Sequence, residues 1–338
     1  MNMNVQQTWH FNENIFVEAT GTAVGPYETN GPLNESFDKC YDKLYCGEDN
    51  WELAERRLMI DAISICLQKA NKKESEVNLM LAGDLLNQNV TSNYVARQMN
   101  IPYLGVFSAC ATAMETVAIG ASLISGGFGN RVIAATSSHN ATAERQFRYP
   151  TEFGGQKPDT STFTVTGAGA LLLSKKPSPI KVTHATIGKV VDMGIKNPFN
   201  MGTAMVPAAV DTIIQHFKDT GRSEQDYDLI VTGDLSTIGS KVLKELLREQ
   251  GIQLKNKHQD CGVMIFSRDQ PVFAGGSGCA CPAVVTYGHL LKEMKLGKIK
   301  RMLVVATGAL MSPTMMKQKE SIPCVAHGVV FESEVSEH

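Results

Sequence analysis

Ser108-Ala109-Cys110-Ala111-Thr112-Ala113-Met114 sets a cysteine between two contrasting stretches. Before it, Ile101-Pro102-Tyr103-Leu104-Gly105-Val106-Phe107 reads as a strand. After it, Ala111 to Ser125 reads as a helix with Glu115 as its only charge. A cysteine at a strand-to-helix junction meets the unpaired N–H groups and the positive dipole end of the helix. That environment favours an anion, either a thiolate at Cys110 or a bound carboxylate. The plainer alternative is a buried free thiol, because cysteine is among the most buried residue types.

Other reactive side chains cluster in the sequence around this turn. Arg145, Arg148 and Lys157 fall in a charged stretch, Glu144 to Asp159, interleaved with Phe147, Tyr149 and Phe153. His139 closes the polar exit of a strand expected at Arg131–Ala135 and points toward the same cleft. Asn87 and Gln88 follow the short apolar run Val77–Ala82 and are candidates for a cleft mouth. Cys279-Ala280-Cys281 is too closely spaced for a usual zinc knuckle and has no second pair nearby, so no metal site is expected. His258 and His327 are further imidazoles that could act as bases.

The elements that must position these groups occur twice. Trp51 to Ala70 carries Leu53, Leu58, Met59, Ala62, Ile63, Cys66 and Leu67 at helical spacing. Its second half, Asp61–Ala70, lies over Asp211–Thr220 at an offset of 150 positions. At the same offset, Glu76-Val77-Asn78-Leu79-Met80-Leu81-Ala82-Gly83-Asp84-Leu85 lies over Asp226-Tyr227-Asp228-Leu229-Ile230-Val231-Thr232-Gly233-Asp234-Leu235 without a gap. Cys110 to Ser138 matches Cys279 to Ala309: a cysteine turn, an apolar helix, a basic residue (Arg131, Arg301) and a strand. Strands alternating with helices imply sheets covered by helices on both faces. The division expected is a first half, 1–175, carrying Cys110, and a second half, 176–338.

Composition narrows the function classes. The 338 residues are 43% hydrophobic and 20% charged, as in an ordinary globular chain. A formal net charge of −2 gives no electrostatic case for nucleic acid. Eight cysteines spread through so long a chain argue for a reducing compartment rather than a disulfide scaffold. Met1 to His10 is polar and has no apolar signal core. The one long run of low charge, Ile101–Gly127, contains Pro102 and Glu115 and divides into strand, turn and helix. It reads as core rather than membrane span, so no transmembrane segment is expected.

Ser108-Ala109-Cys110-Ala111-Thr112-Ala113-Met114-Glu115, together with Thr166-Gly167-Ala168-Gly169-Ala170 and the duplication, resembles the thiolase and ketoacyl-synthase superfamily. The resemblance covers about Asn14 to Glu332. It implies an α/β, thiolase-like five-layer fold (α-β-α-β-α) built from two duplicated βαβαβαββ halves. In active members of that superfamily the cysteine attacks an acyl thioester, and a His and an Asn activate it and bind the carbonyl oxygen. Aligned here, those two partner positions fall on Gly233 and Gly276, which have no side chain to move a proton or to donate to an oxyanion. One missing oxyanion donor alone typically lowers turnover about 100- to 1000-fold. The resemblance therefore implies a chain that is not an enzyme, with Cys110 a vestigial nucleophile. Cys324-Val325-Ala326-His327-Gly328 is weakly similar to the late cysteine turn of thiolases, where a Cys–His pair is conceivable.

Gly275-Gly276-Ser277-Gly278-Cys279-Ala280-Cys281, Ser321-Ile322-Pro323 and Phe16-Val17-Glu18-Ala19 resemble a narrower family, the thiolase-like spore proteins of spore-forming bacteria. That family implies binding of dipicolinic acid, alone or with calcium, uptake into the forespore during sporulation and release in germination. It implies partners among the membrane proteins of the same operon. It also implies a place on the cytoplasmic side of the developing spore, peripheral to the spore inner membrane. No cofactor is implied. The ligand-binding set expected is Cys110, Ala111, His139, Arg145, Arg148, Lys157, Gly276 and Cys279. An active acyl-thioester transferase or condensing enzyme using Cys110 is the alternative, and a pure assembly subunit with a vestigial cleft is a third reading. Relatives pair through the strand beside the cysteine helix, so a homodimer through Tyr103–Phe107 is expected.

Overall fold

A computed structural model describes residues 6–335. The expectations for Met1–Val5 and for the last three positions of the chain lie outside the described residues.

Helix α1 (Trp51–Ala70) spans the stretch its periodicity marked. The Asn50 side chain caps it by accepting the Leu53 N–H at 2.9 Å, and Asn71 ends it in the left-handed region at φ 53°. Its buried stripe, including Leu58, Met59, Ala62, Ile63 and Cys66, packs on the first strand, β1 (Thr8–Val24).

Nine further strands complete the main path. They are β2 (Leu79–Asp84), β3 (Tyr103–Gly105), β4 (Arg131–Ser138), β5 (Gly167–Ser174), β6 (Ile180–Ile187), β7 (Leu229–Thr232), β8 (His258–Asp260), β9 (Arg301–Ala309) and β10 (Cys324–Ser333). The sheet order is β8-β7-β9-β10-β6-β1-β5-β4-β2-β3, and Lys39–Cys40 adds a short parallel pairing to β1. Read from each edge, the same pattern recurs. β2 lies parallel between β3 and β4, as β7 lies parallel between β8 and β9. β4 is antiparallel to β5, as β9 is to β10. The matched residues Leu79 and Leu229 open corresponding strands.

One strand serves both sheets. Thr8–His10 and Ile15–Phe16 of β1 pair with β6, and Phe16–Val24 pair with β5. Register shifts between His10 and Ile15, and between Val17 and Ala19, bend the strand at the crossing.

The layers follow from the contacts. α1 and α2 (Val90–Met99) cover the outer face of the first sheet around Met80, Ile133 and Leu172. Between the sheets lies α3 (Thr112–Ser125), which touches β1, β2 and β4 on one side and β9 and β10 on the other. α4 (Asn140–Phe147) and Thr151–Phe153 form the arm that follows β4. α5 (Val206–Thr220) and α6 (Ser236–Glu249) cover the outer face of the second sheet around Ile230, Leu303 and Val330. α7 (Ala280–Val285) joins α3 in the middle layer and runs through one π-helical turn, Thr286–Leu290, into α8 (Leu291–Lys295). The result is the five-layer α-β-α-β-α body. Among the described residues no helix is long and apolar enough to cross a membrane.

Several boundaries differ from those expected. The apolar run Ile101–Phe107 yields only the three-residue β3, because it is an edge strand with Leu104 exposed. The supposed loop from Glu144 begins inside α4. Phe163–Thr164 separate from β5 and pair instead with Gly276–Ser277 of the other half.

A buried acid beside β5 makes stability depend on pH. Glu28 is fully buried; one carboxyl oxygen accepts the Thr166 N–H at 2.9 Å and the other has no partner among the described residues. Burial pushes its carboxyl up to about 8 from 4.5. The folded state thus holds a proton that the unfolded chain releases, and the stability this gives is whole below pH 4.5 and lost as pH rises to 8. Buried histidines act in the opposite sense. Burial lowers His184 to about 4 and His216 to about 3, so their contribution is present above pH 6.5 and lost as pH falls toward those values. Glu28→Gln, which mimics the protonated acid, should leave the melting temperature at pH 5 nearly unchanged and raise it at pH 9. The wild-type loss from this group runs at about 1.4 kcal/mol per pH unit across the window. Thermal melts at the two pH values check this; equal shifts at both would contradict it.

Candidate functional site

Cys110 sits on a tight elbow between β3 and α3. Ala109 is held at φ 50°, a conformation a residue with a Cβ rarely adopts. The Ser108 N–H donates to Thr112 Oγ1 at 2.9 Å, and that hydroxyl donates to the Ala109 carbonyl at 2.7 Å. Gly308 of β9 makes room for the elbow. A Cβ there would lie 2.1 Å from the Ser108 carbonyl oxygen and 3.0 Å from the Ala111 nitrogen.

Two of the expected donors at the helix start are already used. The Ala111 N–H donates to the Ser108 carbonyl at 3.0 Å and the Thr112 N–H to the Ala109 carbonyl at 3.2 Å. Ala111 itself is fully buried against Gly308 and does not line the cleft.

The group facing the sulfur is Asp234, which the family alignment passed over by one residue. Its charge acts on the Cys110 thiol, and its carboxyl accepts the Thr307 hydroxyl at 2.7 Å and the Gly278 N–H at 3.2 Å. Burial lifts this acid to about 7. Burial, and then the Asp234 charge, push the Cys110 thiol well above its ordinary value. A thiol kept protonated by burial and a neighbouring acid is poorly suited to attack, since the thiolate is the nucleophile. Gly233 packs against Ala306 and Thr307 instead. Gly276 faces Ile265 and Cys281, away from Cys110. Its neighbours Ser277 and Gly278 are the ones that line the cleft.

The cleft at Cys110 is narrow. Its walls include Leu85, Phe107, Phe147, Arg148, Met201 and Met311, and they enclose about 440 Å³. Only about 30 Å³ of this would take the centre of a water-sized sphere, so a planar ligand reaches the sulfur only if side chains move.

Arg148 is the one expected cation on this wall. Its side chain is 2% exposed and pairs with Glu144 at 2.5 Å, and one of its terminal nitrogens donates to the Thr162 carbonyl at 3.2 Å. Burial lowers its pKa while the Glu144 charge opposes that shift. Lys157 pairs with the other Glu144 oxygen at 2.9 Å and lines a separate, outer concavity. Arg145 lies elsewhere, paired with Glu52 and set over the Trp51 ring.

The other candidates move away from the cleft. His139 is an N-cap: its Nδ1 accepts the Ala141 N–H at 3.2 Å and its Nε2–H donates to the Leu44 carbonyl at 2.8 Å. Burial lowers it to about 4, so it is neutral and fully committed. Asn87 and Gln88 are exposed, and only Leu85 of that segment reaches the cleft. His258 bonds Thr232 Oγ1 at 3.0 Å. His327 bonds Ser108 Oγ at 3.3 Å, two residues short of the cysteine. Cys324, three positions earlier on β10, points to the opposite face and donates to the Ile322 carbonyl, so the conceivable Cys324–His327 pair does not form. Cys279 packs beside Cys110 in one small cluster with Leu85 and Ala143, but its thiol donates to the Ser137 carbonyl at 2.9 Å. Its pKa is raised by burial and then by Asp84, the counterpart of Asp234. In each half, the acid at the Gly-Asp strand exit thus acts through its charge on the cysteine of the other half.

The family model for stage V sporulation protein AD matches residues 5–332. Stage V sporulation protein AD of Bacillus subtilis (strain 168) is 60% identical over 332 residues, 98% of each chain. The chain belongs to the stage V sporulation protein AD family.

The family's name refers to sporulation and to no reaction. Solved structures similar to this chain show the fold. Human mitochondrial 3-ketoacyl-CoA thiolase, determined in complex with CoA, has a TM-score of 0.63 at 12% identity, covering 96% of this chain and 99% of that one. The Aquifex aeolicus 3-oxoacyl-[acyl-carrier-protein] synthase III has 0.59 at 13%, covering 94% and 99%. Cerulenin-bound OleA of Xanthomonas campestris has 0.58 at 14%, covering 94% and 96%. The thiolase-like resemblance therefore holds for the architecture of this sporulation family member.

If Asp234 holds the family elbow in its thiol form, Asp234→Asn should free it. Removing a neighbouring carboxylate typically lowers a pKa by about 1–3 units. Alkylation of Cys110 by iodoacetamide at pH 8 should then rise about tenfold over wild type, read by mass spectrometry of the Cys110 peptide. An unchanged rate would show that Asp234 does not control the thiol.

Proposed function

We propose that this chain is a non-catalytic, thiolase-fold protein that binds dipicolinic acid, alone or as its calcium chelate. It serves uptake into the forespore during sporulation and release in germination. One observation carries the reading: Cys110 faces the Asp234 carboxyl, and among the described residues no imidazole or side-chain amide is hydrogen-bonded to its sulfur. Acyl transfer through cysteine needs a base to make the thiolate and donors for the oxyanion. Here the acid opposes the thiolate, and the Ala111 and Thr112 N–H groups are spent on the elbow. What remains is a sulfur, a buried guanidinium at Arg148 and an apolar wall, which suit holding an anion more than turning one over.

Calorimetry of the purified full chain with dipicolinate, with and without calcium, tests this. Saturable heat is expected, and its absence in both conditions overturns the reading. The acyl-transferase alternative predicts instead a covalent acyl adduct on Cys110 after incubation with acyl thioesters, seen as a mass increase.

We further infer a peripheral place at the spore inner membrane, reached through proteins of the same operon, and a symmetric homodimer. Support for the dimer comes from the sheet edge: among the described residues β3 has no partner on its outer side, and Leu104 and Phe107 beside it are 51% and 43% exposed. An exposed apolar edge invites strand pairing. Light scattering at micromolar concentration should give twice the chain mass, and Leu104→Lys should return it to one. A monomeric wild type would refute this.

A further inference from the structure

The cleft at Cys110 is nearly shut, and the side chain that shuts it can be named. Ala143 and Phe147 stand four apart on α4, share one face of the helix and both line the cleft. Ala143 is small; one turn later the Phe147 ring fills the same wall. That ring also borders a second hollow, a surface groove walled by Tyr149, Pro198, Phe199, Pro313, Met316 and Lys317. The groove encloses about 620 Å³, of which about 260 Å³ would take the centre of a water-sized sphere, against about 30 Å³ in the cleft. Among the described residues, Phe147 and Arg148 are the two that line both spaces.

These two differ in their freedom to move. The Arg148 side chain is 2% exposed and is held by Glu144 and by the Thr162 carbonyl. Phe147 has no side-chain polar atom to tie it, is the last residue of its helix and is half-buried. Its ring packs against two separate clusters. One holds Leu85, Ala143, Cys110 and Cys279; the other includes Met201 and Met311, with Met316 at its edge. Methionine is unbranched and adapts to a neighbour that turns. A ring between two clusters with such neighbours can step from one staggered χ1 well to another without breaking a hydrogen bond. The other exposed aromatic on the cleft wall, Phe107, borders β3, the edge that a second copy covers in the proposed dimer.

We propose that the Phe147 ring is the gate to Cys110, and that the groove beside Pro313 and Met316 is the path of entry. In the closed position the ring separates groove from cleft; when it turns, the two become one space. The gate sets what size of molecule reaches the sulfur, whichever ligand the cleft holds.

Alkylation of Cys110 in the full chain by iodoacetamide and by the bulkier N-phenylmaleimide, read by mass spectrometry of the Cys110 peptide, tests the gate. Minor conformations are populated at about 0.1–10%, and a closed gate slows the reaction by that fraction. Phe147→Ala should therefore raise the Cys110 rate at least about tenfold, and more for the bulkier reagent. Phe147→Leu, which keeps an apolar contact, should give a smaller rise in the same direction and carries the test if circular dichroism shows the alanine variant unfolded. Cys66, fully buried in the cluster beneath α1, is the internal control, and its rate should stay as in wild type. An equal rise at Cys66 would mean general loosening and overturns the gate. An unchanged Cys110 rate in both variants overturns it too. A rise in Phe107→Ala with none in either Phe147 variant would place entry at the sheet edge and overturn it as well. No dipicolinate enters this experiment, so its failure leaves the functional reading standing, and an absence of heat with dipicolinate leaves the gate standing.

Discussion

Glu144→Leu should destabilise the protein by about 3–5 kcal/mol, the loss expected when one partner of a buried ion pair is removed. The glutamate and Arg148 side chains are each 2% exposed, and Lys157 approaches the same carboxylate from the solvent side. Without Glu144 the guanidinium stays in a low-dielectric wall with no counter-charge. Lys157 can turn to water, whereas Arg148 has nowhere to go. The double variant Glu144→Leu with Arg148→Met should recover most of the loss, because replacing a whole buried pair by apolar groups is often neutral. Urea denaturation of the wild type, both singles and the double gives the cycle. A double variant no more stable than Glu144→Leu would show that the penalty does not come from a stranded charge.

Gly308→Ala should be nearly as damaging, at about 3 kcal/mol, the upper end of ordinary overpacking. The added methyl would meet the Ser108 carbonyl and the Ala111 amide, which are backbone atoms inside a hydrogen-bonded turn. Neither can swing aside as a side-chain tip could. The elbow must shift, and with it Cys110 must leave Asp234. Thermal melts should show the loss, and ligand binding should fall with it. A variant with wild-type stability would mean the elbow is looser than its contacts imply.

Much of the architecture could be read in advance because duplication is a pattern of residue order. The Gly83-Asp84 and Gly233-Asp234 matches, the helix at Asp61–Ala70 and the two cysteine turns all survive folding as spatial equivalents. The site was harder to read because its contacts run between the halves. Asp234 approaches Cys110 across 124 positions of chain, and no local spacing encodes that meeting. The clue was present in the repeat itself, which carries an acid after each matched glycine; aligning on the family's motifs drew the eye to Gly233 instead. His139 misled for a related reason. A polar residue at a strand exit suits a cleft and a helix cap equally, and only the following turn decides. The cations divided by sequence phase within one short arm. Arg145 and Arg148 are three apart, yet one lies at the surface over Trp51 and the other lines the cleft at Cys110.

The strand shared by the two sheets bears on how the chain is made. Thr8–Val24 leaves the ribosome some 140 residues before its neighbours at 167–174 and 180–187. Until then, apart from the short pairing of Ala23–Val24 with Lys39–Cys40, this ribbon has both edges open. Contacts so distant in sequence close slowly, and unpaired edges are where nascent chains associate wrongly. Recovery of native protein after dilution from denaturant should therefore fall steeply as protein concentration rises, and a chaperone that shields the early segment should restore it.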